Sequence, residues 1–64
     1  MRDKVKLMAA IGRAQKFAVR ALKRQDDDAA FNSLKAIVHM YIRMQNYRKA
    51  LDIIHLAKEI YPDF

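Results

Sequence analysis

From Leu34 to Pro62 the chain places apolar or small residues at steps of three and four: Leu34, Ile37, Val38 and Tyr41, then Tyr47, Ala50, Ile54 and Ala57, with Pro62 closing the run. Residues at that spacing share one face of an α-helix. The break between the two stretches is short, at Gln45 and Asn46, and so short a link forces the helices to lie adjacent and antiparallel. The pattern predicts a helical hairpin with small residues at the crossing. Such a hairpin is a scaffold for holding a partner and supplies no chemistry of its own.

The rest of the chain agrees with helices throughout. It holds one Gly, one Pro and ten alanines among many Leu, Ile, Lys and Arg, a composition that favours helices and leaves little room for β-turns. The fold class is therefore all-α, with three helices in a single small domain, residues 1–64. A first helix over about 3–24 is apolar at Leu7, Ile11, Ala14, Ala18 and Ala21, and again at Val5, Met8, Val19 and Leu22. Together these predict one broad buried face. Gly12 interrupts this helix at a cost of about 1 kcal/mol against Ala, so it either permits a close crossing or is tolerated. The run Gln25-Asp26-Asp27-Asp28 breaks the pattern. One of its aspartates caps the next helix while all of them favour its positive end; a metal site is the weaker alternative, because adjacent side chains splay apart and no spaced ligand loop follows. The hairpin spans about 29–61: a second helix from Ala29 to Met44 with Phe31, Leu34, Ile37, Val38, Tyr41 and Met44 on one side, and a third from Tyr47 to Tyr61. Asn46 is its predicted N-cap, and Pro62 stops it by pushing Tyr61 away from helical geometry.

Charge is unevenly distributed. Before residue 25, eight basic residues meet a single acid, Asp3, whereas after it five basic residues meet six acidic ones. On the first helix Lys6, Arg13, Lys16, Arg20, Lys23 and Arg24 form a continuous positive stripe opposite the apolar face. The chain has no cysteine, which excludes disulfides and thiolate chemistry and suits a reducing compartment, so the cytoplasm is the expected location. No segment approaches the ~20 apolar residues of a membrane span, and the first fifteen residues lack a signal-type apolar run. No membrane partner is expected, and the paucity of aromatics on the first helix argues against a membrane-surface role.

Residues 31–64 resemble a tetratricopeptide repeat, the helix-turn-helix unit of 34 residues. The resemblance rests on Tyr41, on Asn46-Tyr47-Arg48-Lys49-Ala50-Leu51 at the turn and helix start, and on Ala57 with Pro62. It implies that Ala50 and Ala57 lie at the closest approach of the paired helices. Leu34 stands where the family usually has tryptophan and Val38 where it has a small residue, which implies a wider local crossing; Ile54 for the usual phenylalanine is a conservative change of shape. The first helix resembles a degenerate partner of the same kind through Ala14, Ala18 and Ala21, joined by a longer connection with the aspartate run as insertion. The resemblance also implies an inner binding face at Asn32, Lys35, His39, Ile42 and Arg43. Lys35 and Arg43 would there favour an acidic or carboxylate-bearing segment.

On the third helix Tyr47, Ala50, Leu51, Ile54 and Ala57 are expected to face the second. Ile53, Leu56 and Ile60 form another apolar stripe. Either the first helix covers that stripe to complete a bundle, or another chain does, as a homo-oligomer or a hetero-complex.

Catalysis is not expected. His39 and His55 sit on different helices, and Asp52 three residues before His55 is the sole ligand-type neighbour at helical spacing. Ser33 has no nearby histidine in sequence, and a single Gly cannot make a phosphate loop. Neither metal nor cofactor is predicted. Two function classes remain: a protein-interaction adaptor or small chaperone that takes a peptide or helix of a partner protein, and a basic protein that binds nucleic acid or another polyanion through the first helix, with strong salt dependence.

Overall fold

The computed structural model describes residues 2–64. It contains three α-helices, α1 (Arg2–Lys23), α2 (Asp27–Arg43) and α3 (Tyr47–Ile60), and no strand among the described residues. The all-α class holds, and the helix ends fall within two residues of those predicted.

The two connections are copies of one turn, 20 positions apart. After α1, Gln25 adopts φ 59°, its N–H donates to the Leu22 carbonyl at 3.0 Å, and the Asp26 N–H donates to the Ala21 carbonyl at 2.9 Å. After α2, Gln45 again has φ 59°, with bonds from Gln45 to Ile42 at 2.8 Å and from Asn46 to Tyr41 at 2.9 Å. This paired pattern satisfies the orphan carbonyls of a helix end with one left-handed residue, a place usually filled by Gly. The next residue then caps the following helix. The Asp26 carboxylate accepts from the Ala29 N–H at 3.3 Å, and the Asn46 side-chain oxygen accepts from the Lys49 N–H at 3.3 Å. The aspartate run is thus no insertion. Asp26 is the cap, and Asp27 and Asp28 form the first turn of α2, where their charge meets the positive end of the helix dipole.

Small residues set the packing. α2 lies between the other two helices and packs along both, whereas no Cα of α1 comes within 8 Å of one in α3. Ala18 and Ala21 of α1, Ala30 of α2, and Ala50 and Ala57 of α3 are all buried, so neighbouring backbones approach closely with little side-chain entropy lost. Ile11, Ala18, Leu34, Ile37 and Ala57 form the core cluster, with Tyr41, Met44 and Ile53 against it. Among the described residues Ile37 is the one large side chain that is fully enclosed.

The Cα envelope measures 36 × 19 × 12 Å. α2 is the middle helix, and α1 does not fold over α3. Leu56 and Ile60 consequently stay 50% and 41% exposed, while Ile53 is half-buried.

Two predicted burials are corrected by this geometry. On α1, Ile11, Ala18 and Ala21 are buried and Leu7, Ala14 and Leu22 half-buried, but Val5, Met8 and Val19 are exposed. The apolar arc of α1 is wider than one neighbouring helix can cover. On α3, Ala50 and Ala57 face α2 and Ile54 is half-buried, but Tyr47 and Leu51 point outward, 62% and 51% exposed.

Candidate functional site

The outward face of α2 is the first candidate. Asn32, Lys35, His39, Ile42 and Arg43 recur at helical spacing and are all exposed, because the opposite side of α2 is consumed by its two neighbours. They share that face without forming one pocket. Lys35 and His39 line an open groove between α2 and α3, together with Phe31, Val38, Ile54, Lys58, Asp63 and Phe64. Arg43 leans to the other flank, into a recess with Asp3, Lys6 and Arg13 of α1. Asn32 lines neither.

The end of the α2–α3 groove is built by the C-terminal residues. Pro62 takes Tyr61 out of the helix, to φ −126° and ψ 95°, and a turn closed by the Phe64 N–H on the Tyr61 carbonyl at 2.9 Å brings the chain back over α2. Phe31 then meets the Tyr61 ring edge-on at 5.7 Å between centroids and the Phe64 ring at 5.1 Å. The Lys35 ammonium lies 5.8 Å from the Phe31 centroid, within cation–π range. The Tyr61 hydroxyl donates to the Asp27 carboxylate at 2.9 Å. Its pKa is raised above the usual 10, first because desolvation penalises the phenolate, then because the bond to Asp27 and the nearby negative charges favour the neutral phenol. This cluster was not picked out by helical periodicity, since Phe31 counted there as one more apolar position. The spacing of Tyr61, Pro62 and Phe64, two aromatics around a helix stop, was the available signal.

The basic face predicted on α1 is solvent-exposed at Lys6, Arg13, Lys16, Arg20, Lys23 and Arg24. Phe17, 47% exposed, lies among them at one helical turn from Arg13 and Arg20. Of the predicted interface residues, Leu56 and Ile60 are exposed, whereas Ile53 is half-buried against the core.

No group of three His, Cys, Asp or Glu side chains is placed to hold a metal ion among the described residues. The Ser33 hydroxyl donates to the Ala29 carbonyl at 2.7 Å, a bond within α2 that occupies its proton. His39 and His55 are exposed on separate helices. Among the described residues no helix is long and apolar enough to cross a membrane.

No protein-family model matches the chain, and neither the curated proteins nor the solved structures give a match.

Proposed function

We propose that the chain is a non-catalytic protein-interaction module, an adaptor or small chaperone in the cytoplasm, that holds a peptide or helix of a partner protein against the outward face of α2 and its groove with α3. The observation that carries this is the exposure of Ile42, Tyr47 and Leu51, at 42, 62 and 51%, beside a groove whose wall presents Lys35, His39 and Lys58. Apolar surface next to Lys35 and Lys58, with the single carboxylate Asp63 at the groove's end, suits an acidic or carboxylate-bearing segment: burial supplies the affinity and the lysines the orientation. The likeness of residues 31–64 to a tetratricopeptide repeat supports the same reading. The exposed apolar residues Leu56 and Ile60, beside half-buried Ile53, further support a homo-oligomer or hetero-complex as the working state.

A second reading draws on Phe17. An exposed aromatic among Arg13, Lys16 and Arg20 could stack on a base while the cations track phosphates, so nucleic acid or another polyanion would bind along α1.

Affinity capture from lysate at two salt concentrations separates the two. The module reading calls for a defined protein that Leu51→Ser or Lys35→Glu releases and that survives moderate salt. Recovery of nucleic acid alone, lost on a modest salt increase and on Phe17→Ala, overturns it.

A further inference from the structure

We propose that the seam where Arg43 of α2 meets the basic face of α1 holds a phosphate of a single-stranded nucleic acid, with a neighbouring base stacked on Phe17. The inference rests on the second of the two readings above; it adds α2 to the site and names the form of the ligand.

Two helices build the recess. Lys6 and Arg13 of α1 and Arg43 in the last turn of α2 line it together, over Leu7 and Ala10, with Asp3 as the one carboxylate among the lining residues. Lys6 and Arg13 stand seven residues apart, two turns along one face. The return of α2 along α1 then brings its last turn to the first half of α1. Three cations and one carboxylate leave the recess net positive, and converging Lys and Arg donors match the free oxygens of a phosphate diester.

Phe17 gives the second observation. Lys6, Ala10, Arg13, Phe17 and Arg20 follow one another at steps of four, three, four and three, so the recess and the ring share one face of α1. The row runs about 21 Å at 1.5 Å per residue. Phe17 is 47% exposed, with an arginine one turn away on either side.

That alternation selects the ligand. A single strand presents phosphates and unstacked bases in turn, and cations with an aromatic between them meet both. A duplex keeps its bases stacked inside, out of reach of the ring. A partner helix lays a continuous apolar face into its groove, and half-buried Ala10 is the sole other apolar member of this row. Stacking accepts every base, so the site is sequence-tolerant. Past Arg24 the charge reverses at Asp26, Asp27 and Asp28, which bounds the site at that end.

The test uses the full chain and fluorescence anisotropy with a labelled mixed-sequence oligonucleotide of about 12 nucleotides, within the usual site sizes, supplied as single-stranded RNA, as single-stranded DNA and as the DNA duplex. At least one single strand is expected to bind about tenfold or more tightly than the duplex at ~0.1 M salt, and the RNA and DNA arms tell the two sources apart. Phosphate contacts from Lys6, Arg13, Arg20 and Arg43 give an expected slope of about −3 for log affinity against log salt. Arg43→Gln is expected to weaken binding about threefold or more and to flatten that slope by about 0.7. Arg48→Gln, which removes the same charge from α3, is expected to leave both unchanged. Phe17→Leu is expected to weaken binding at least about fivefold with the slope kept, and Phe17→Tyr to restore it. Equal losses in Arg43→Gln and Arg48→Gln overturn the assignment, as does a silent Phe17→Leu or equal binding of the duplex. Tighter binding of a labelled polyglutamate peptide than of either strand overturns it in favour of an acidic protein. If Arg43→Gln is silent while Lys16→Gln weakens binding, the second reading stands and the seam assignment fails; if no oligonucleotide binds, both fail.

Discussion

The central place of α2 makes a sharp prediction about two apolar residues of equal size. Ile37 on α2 is 1% exposed and belongs to the core cluster, while Leu56 on α3 is 50% exposed. Truncation to alanine removes three carbons in each case. At Ile37 the lost transfer energy is about 0.8 kcal/mol per carbon, and the cavity left between three helices adds to it, so a loss of about 3 kcal/mol or more is expected. At Leu56 half of that surface is already wet and no cavity forms, so the loss is about 1 kcal/mol or less. A chain of this length has a total stability of only roughly 3–10 kcal/mol, and Ile37→Ala therefore approaches the limit of folding. Urea unfolding followed by helical circular dichroism gives both values from the midpoint shift at constant slope. Should Ile37→Ala not fold, Ile37→Val supplies the measurement, with an expected cost of about 0.5–1.5 kcal/mol. Equal losses at Ile37 and Leu56 would refute the reasoning, because they would mean that the α3 stripe is covered as thoroughly as the core.

The duplicated turn predicts that Gln25→Gly and Gln45→Gly each stabilise the chain, by about 0.5–1 kcal/mol, because φ near +59° suits glycine; a lower urea midpoint for either would contradict the turn geometry. Asp26→Ala and Asn46→Ala are each expected to cost about 1 kcal/mol through loss of a cap bond, read in the same unfolding experiment, with additive effects in the double variant. The Tyr61 phenol has a raised pKa in the folded state, so its contribution is complete below the unfolded value near 10 and is lost as the pH rises through the folded value. Melting temperatures of the parent chain should accordingly fall at alkaline pH more steeply than those of Tyr61→Phe, and parallel curves above pH 10 would contradict the contact with Asp27.

Much of this architecture was legible because local rules and tertiary packing point the same way. Asp26 and Asn46 cap helices wherever they stand before a periodic stretch, and Pro62 ends one regardless of its surroundings. Ala50 and Ala57 fall at the crossing because no larger side chain lets two helices approach so closely. What stayed hidden concerned the outer helices. Val5, Met8 and Val19 lie at helical spacing, as do Tyr47 and Leu51, but periodicity only says that residues share a face; it does not say how much of that face a neighbour covers. The left-handed glutamines were equally silent, since the residue usually found there is glycine.

The positions of the three helices, their two short links and the positive charge concentrated on α1 follow from the residues themselves, through spacing, capping and composition. Which apolar stripe of α1 and of α3 is buried was decided by the placement of α2 between them. One helix offers its neighbours two sides and no more, so the arcs that overreach those contacts stay exposed. That is a property of the packing angle, to which no single segment of the sequence has access.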